Sequence, residues 1–325
     1  MMALLFGRSC ARLARAATPP LLAVDRLAEG IPESSASRHS SSYRADAVIL
    51  LLSLPVYRRS DVGTGFASFA EVARARARCY FLRFSGASRP ERAAGLDRMG
   101  SIHEAAIEQG AALSEAAYFG VLTSSPEETL EQGRHSLGTR PDRWNEYTAI
   151  DGHSRCGFTR SAVAHFRLPA SGAPSARIIE EARANFQASP PAWRESKWTD
   201  ERAGQPPPTF LYALMRALQD PQQTTDSWYV YGERSYSLRM QKQQDRQQGL
   251  HFAERGLTLR PERIIQVRGR IREEGSARQT AFRLWIEDGS ANVLPLRIEF
   301  QPRSYLRLSF EVDPKASPTP IEEDL

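Results

Sequence analysis

Cysteine is scarce in this 325-residue chain, which holds only Cys10, Cys79 and Cys156. None belongs to a C-x-x-C pair, so neither zinc-ribbon nor thioredoxin-type spacing is present. Cys79 and Cys156 leave two readings open, one disulfide in an oxidising compartment or two buried thiols; a single pair is weak ground for the first. Long apolar runs are missing too. The longest, AVILLLSLPV from Ala47 to Val56, has ten residues and contains Pro55. A membrane-spanning helix needs about 20. The run is expected to be a buried strand, and no transmembrane helix is expected.

The common signatures of catalysis are also absent. His103 is followed by Glu104, but no second histidine completes H-E-x-x-H. GTGFAS starts like a dinucleotide loop, yet Ser68 replaces the third glycine and a strand-like pattern follows instead of a helix. There is no Walker lysine loop and no G-x-S-x-G elbow. The paired acids Glu127/Glu128 and Glu180/Glu181 fall in first helical turns, where negative charge complements the helix dipole. The remaining candidates for chemistry are His153 and Cys156 in DGHSRCGF, with His165 in VAHFRLP. A thiol beside a histidine is the pattern of nucleophilic catalysis, although such pairs are usually assembled from distant segments. No motif implies a cofactor or a metal.

What is present is enough material for a core. Hydrophobic residues make up 41% of the chain, and the formal charge is +5, with arginine far commoner than lysine. So mild a surplus over so long a chain argues against a dedicated nucleic-acid binder, which concentrates its charge. Aromatic–arginine mixtures such as FLRFSG lack an RNP motif.

Residues 1–42 open with an Arg-rich, acid-poor stretch whose apolar runs are too broken for a good secretory h-region. They continue into the Ser-rich AEGIPESSASRHSSS. A leader or disordered linker is expected there, then a single β-rich domain over 43–313 with a helical insertion at about 177–220, then a disordered Pro-rich acidic tail over 314–325.

Within that domain, Gly63 and Gly65 suggest a turn or bulge, and SRPERAAGLDRMG suggests a short helix. Gly110 separates two similar runs, as in a hairpin. SSPEETLEQGRHSLG carries a capping box: Ser125 at the cap, Pro126 at the first helical position and Glu128 at the third. A bulge is expected within RCGFTRSAVAHFRLP, because Phe158, Val163 and Phe166 do not share one face. RIIEEARANF and FLYALMRALQD have helical spacing, the latter capped by Thr209. The stretch between them is expected to be an exposed loop. Alternating strands follow from Trp228 onward. The fold class is therefore α+β and β-dominated: a large curved antiparallel sheet or half-barrel with a few short helices packed on it.

The last strands allow a register to be argued. Pairing Phe300 with Leu306 keeps both apolar faces together and sets Glu299 opposite Arg307. Pairing Ile286 with Leu296 sets Arg283 opposite Glu299 and Trp285 opposite Arg297, where a cation–π contact forms. Arg268 and Arg270, with no acid between them, are expected near Trp285 and Arg283. Arg268, Arg270, Arg283, Trp285 and Arg297 are thus the candidate binding surface.

The stretches YRADAVILLLSLPVYRRSDVGTGFASF, SRPERAAGLDRMG, YFGVLTSSPEE and LPLRIEFQPRSYLRLSFEVDP together resemble a group of uncharacterised bacterial proteins. The last is also similar to the C-terminus of bacterial envelope families of unknown function built on a curved antiparallel sheet. The resemblance spans most of 43–313 and brings no catalytic motif. It implies a β-rich protein of the periplasm or cell envelope, the alternative being cytoplasmic. Three functions fit: a non-enzymatic protein binding a lipid or other apolar or amphipathic ligand in a curved-sheet cleft; a hydrolase or transferase using Cys and His; or an interaction module that binds an acidic protein or surface through its basic sheet face.

Overall fold

In the computed structural model the described residues are 22–28, 36–51, 54–74, 76–93, 97–123, 144–155, 157–169, 175–189, 191–197, 206–290 and 292–316. They form one antiparallel sheet of fourteen strands. The first half holds β1 (Ala36–Leu51), β2 (Leu54–Arg74), β3 (Ala77–Ser88), β4 (Met99–Gln109), β5 (Ala112–Thr123), β6 (Trp144–Arg155), β7 (Phe158–Pro169) and β8 (Arg194–Lys197). The second holds β9 (Thr224–Tyr231), β10 (Arg234–Gln244), β11 (Ile264–Glu273), β12 (Gln279–Glu287), β13 (Arg297–Arg303) and β14 (Leu306–Val312). Four helices accompany them: α1 (Ala23–Ala28), α2 (Ser175–Ala188), α3 (Phe210–Gln219) and α4 (Arg246–Glu254).

The chain enters at the middle of the sheet. It meanders outward from β1 to β8, crosses to the far edge at β9, and meanders back until β14 pairs with β1. Because β8 and β9 are opposite edges, the connection between them must cross a face of the sheet, and α3 lies in that crossing.

The sheet curls strongly. β5 and β9 are ten strand spacings apart along the ladder, about 48 Å if the sheet were flat. Yet Tyr118 on β5 and Tyr231 on β9 stack with ring centroids 4.7 Å apart. The edge strand β9 therefore reaches the inner face of β5, and β6–β8 continue past it, as the free edge of a scroll. Side chains make this seam. Tyr118 Oη accepts from the Gly232 amide at 2.7 Å, and Ser154 Oγ donates to the Pro207 carbonyl at 2.7 Å. Glycine is needed where the layers touch: a Cβ on Gly120 would lie 2.2 Å from Tyr231 Oη, and one on Gly152 would lie 2.1 Å from the Tyr118 ring.

Both faces are packed. On the outer face α1 and α2 cover β4–β7 through Val24, Ala105, Phe119, Tyr147, Ile179 and Phe186. Inside, α3 lies between two apolar walls, one around Tyr43, Phe69, Tyr80 and Phe310, the other around Leu238, Met240, Val267 and Leu284. Its apolar spacing is core packing, as the sequence pattern predicts. α4 covers the outer face of β11 and β12 through Phe252, Ile264 and Trp285.

The β-dominated curved sheet is as expected, and so is the hairpin at Gly110, which adopts φ 67°. Several local expectations are corrected. Ser37–Ser42, expected in a linker, extend β1 and pair with β2, and 23–28 is a helix packed on the sheet. Backbone ladders do not require apolar side chains, so a serine run can continue a strand that its neighbours anchor. The bulge near Gly63 centres on Asp61, at φ 57°, whose amide donates to Asp46 Oδ1 at 2.8 Å. After Ser88 the described residues form a turn at 90–93, and 94–96 of the expected short helix lie outside the described residues. β6 and β7 pair without a register shift, so no bulge separates Phe158 from Phe166. Residues 194–197, expected in a loop, form the edge strand β8. The capping box at Ser125–Glu128 lies outside the described residues.

Candidate functional site

Two places warrant analysis: the concave face under α3, and the predicted basic surface. On the concave face, Glu104 of β4 is fully buried and points at the start of α3. It accepts from the amides of Leu211 at 2.9 Å and Tyr212 at 3.0 Å. The first amides of a helix have no partners within it, and a carboxylate there also complements the dipole. Thr209, the expected cap, makes no capping bond through its side chain. At the other end Lys242 of β10 donates to the carbonyls of Leu218, at 2.8 Å, and Asp220. The helix is thus held at both termini by strand residues remote in sequence.

Burial pushes the Glu104 carboxyl up to about 7, against the pull of the α3 amides that favour its charged form. Burial also lowers the Lys242 ammonium, partly offset by Asp220 and Asp288. One turn deeper, Glu108 accepts from Tyr80 Oη at 3.0 Å and Tyr212 Oη at 2.5 Å, with Arg216 Nε at 3.4 Å. Burial, followed by the bond to Glu108, pushes the Tyr80 phenol up to about 12. Toward the seam, Phe210, Tyr229 and Tyr236 continue the aromatic wall, with successive ring centroids 5.0 Å apart.

Asp151 repeats the device on the outer face. It is buried and accepts from the Ala23 amide at the start of α1, at 3.2 and 3.3 Å. Burial pushes its carboxyl up to about 7. Nearby, Arg183 of α2 binds Asp25 at 2.7 Å. Buried His103 is held in its neutral form by desolvation and by the charges of Arg83 and Arg183.

The predicted basic surface is partly assembled. Arg283 faces Glu299 and Trp285 faces Arg297, as expected. The Arg297 guanidinium lies 5.2 Å from the Trp285 ring. These groups are balanced: Glu299 binds Arg297 at 2.5 Å and Arg283 at 3.3 Å, and Glu311 binds Arg297 at 3.5 Å and Arg255. Trp285 is buried under α4, and its indole Nε1 donates to Asp245 at 2.9 Å. Arg268 and Arg270 are exposed on the outer face. Arg268 lies opposite Arg283, not Trp285, and Arg270 lies opposite Ala281, not Arg283. The last hairpin is likewise displaced by two residues: Phe300 pairs with Leu308, so Glu299 faces Ser309 and not Arg307. A two-residue slip keeps every side chain on its face, so hydrophobic alternation cannot detect it.

The described histidine candidates do not form one site. His153 binds Glu115 at 2.6 Å, and His165 lies 3.1 Å from Thr148 Oγ1. Their ladder positions differ by five residues, about 17 Å, and by an odd number, which puts them on opposite faces. Cys156 lies outside the described residues, and with it the question of its pairing with buried Cys79. Among the described residues no helix is long and apolar enough to cross a membrane, and no group of three or more His, Cys, Asp or Glu residues is placed to hold a metal ion.

Glu104, Asp151 and Lys242 were not among the sequence candidates. For Glu104 and Asp151 the one sequence signal is a charged residue within an otherwise apolar strand pattern, as in SIHEAAI; Lys242, in MQKQQ, has none.

No family model and no curated protein matches the chain. Among solved structures it is similar to a β-barrel-like protein of a domain of unknown function, DUF1849, from Brucella abortus. The identity is 10%, the match covers 85% of this chain and 95% of that chain, and the TM-score is 0.37.

Proposed function

We propose that this is a non-enzymatic binding protein whose ligand is apolar or amphipathic and takes the concave wall on which α3 rests. The observation that carries the reading is the way α3 is held. An aromatic and aliphatic wall accommodates one amphipathic helix, a cylinder about 10 Å across. The polar anchors at its ends, Glu104 and Lys242, are both disfavoured in their charged forms by burial. A wall that fits such a cylinder suits a ligand of similar girth and polarity, and anchors that are costly to bury favour exchange of the helix for that ligand. An envelope location belongs to the same proposal.

Native mass spectrometry of the full chain with added fatty acid or phospholipid tests it. Bound lipid is expected on the wild type, and less on Glu104→Gln, whose neutral amide costs less to bury at the start of the helix. No uptake by either protein would end the proposal.

A further inference from the structure

The run expected to be a buried strand is buried only in its first half, and the rest extends past the end of β14. Val48 and Leu50 are buried, and the last strand-to-strand pair between β1 and β14 is Ile49 with Leu306. Beyond it the β1–β2 hairpin projects. Leu51 is 64% exposed, Leu54 68%, Val56 57% and Tyr57 58%, far from the burial of a core strand. Four large apolar side chains on one projecting tip are unlike the scattered exposed leucines of ordinary surfaces.

Their order along the hairpin is informative. Leu51 and Leu54 stand at the tip, then come Val56, Tyr57, Arg58 and Arg59. Polarity thus rises from aliphatic, through an amphipathic aromatic, to cationic over four residues from Leu54 to Arg58, about 14 Å of strand. Arg307 of β14 lies opposite Val48, beside Arg58 in the same ladder. Of the nearby acids, Asp61 is taken up by Arg89 and Arg92, and Asp46 binds Arg58 at 2.8 Å and lies 3.9 Å from Arg44. Four arginines against one aspartate leave the base of the hairpin basic. Pro55 deprives the hairpin of an amide donor, which disfavours strand addition by a partner protein.

We infer that this hairpin docks the protein on an anionic lipid bilayer, with Leu51, Leu54 and Val56 in the acyl boundary, Tyr57 at the headgroup level and the arginines against the lipid phosphates. The gradient matches that of a membrane interface, where apolar groups enter by about 5–10 Å, tyrosine sits at the boundary and basic residues meet the negative leaflet. The inference is independent of the concave-face reading.

Co-sedimentation of the full chain with vesicles of phosphatidylcholine, with and without phosphatidylglycerol, tests it. Binding is expected to rise with phosphatidylglycerol content and fall with salt. Leu51→Ser/Leu54→Ser is expected to weaken binding by roughly tenfold to a hundredfold. Arg58→Gln/Arg59→Gln is expected to remove much of the salt dependence. The thermal transition of the serine variant should stay near that of the wild type, because the replaced side chains are exposed. In Leu54→Trp, brominated lipid should quench the new indole. Absence of vesicle binding, binding unchanged by the serine substitutions, or self-association through the tip without vesicle binding would each overturn the inference.

Discussion

Glu104 and Asp151 are single carboxylates that decide how a helix sits on each face of the sheet. Burial raises both to about 7, above the 4.5 and 3.8 of exposed glutamate and aspartate. The folded state therefore holds these protons more tightly than the unfolded chain does. Each contribution is fully present below the unfolded value and is lost as pH rises through the folded value. Relative to Glu104→Gln, the wild type should lose stability between about pH 4 and pH 8, by on the order of 3 kcal/mol. Asp151→Asn should behave likewise. Urea unfolding at several pH values reads the difference, and a gap that does not change with pH would count against a buried, titrating carboxylate. Neither role was legible beforehand. Glu104 alternates against Ile107, three residues on, and so reads as a solvent-facing strand position; only the helix brought over it by the β8–β9 crossing makes it a cap.

Elements were legible where their own periodicity decides them. The apolar spacing of Phe210, Leu211, Leu214, Met215 and Leu218 identifies α3, and Gly110 and Gly232, both at positive φ, mark hairpin turns. Faces were legible too, since Leu284, Ile298 and Phe310 line up inside as alternation demands. Register was legible for β12 against β13, where charge and aromatic pairing add to alternation. For β13 against β14 and β11 against β12 the hydrophobic match tolerates a shift of two. In β13–β14 the pairing combines a short turn, with Arg303 opposite Leu306, and a register shift between Phe300 and Arg303. The predicted arginine surface changed for the same reason. Arg283 and Arg297 are taken up by Glu299 and Glu311, while Arg268 and Arg270 remain exposed.

For the whole molecule, the topology determines what the concave face contains. A chain that begins mid-sheet and must pass from one edge to the other carries α3 across the interior, while Tyr118 and Tyr231 close the scroll around it. That closure depends on small residues at the seam. Gly152→Val would drive a branched side chain into the Tyr118 ring. Overpacking of this kind costs about 1–3 kcal/mol, and here it should be read as lower urea stability together with a loss of near-ultraviolet tyrosine dichroism. Unchanged values would mean that the seam is looser than the packing indicates. Curvature this strong was legible only as a class, because sequence alternation reports faces and not the angle between neighbouring strands.

If the concave wall binds an amphipathic ligand in place of α3, the helix must leave when the ligand arrives. Amide hydrogen exchange of the full chain, with and without a saturating phospholipid, follows this at Leu211 and Tyr212, whose amides are bonded to Glu104. Exchange at those amides and through α3 should accelerate with lipid, while the strands beneath keep their protection. Unchanged or slower exchange of α3 in the lipid-bound protein would contradict displacement and place any ligand elsewhere.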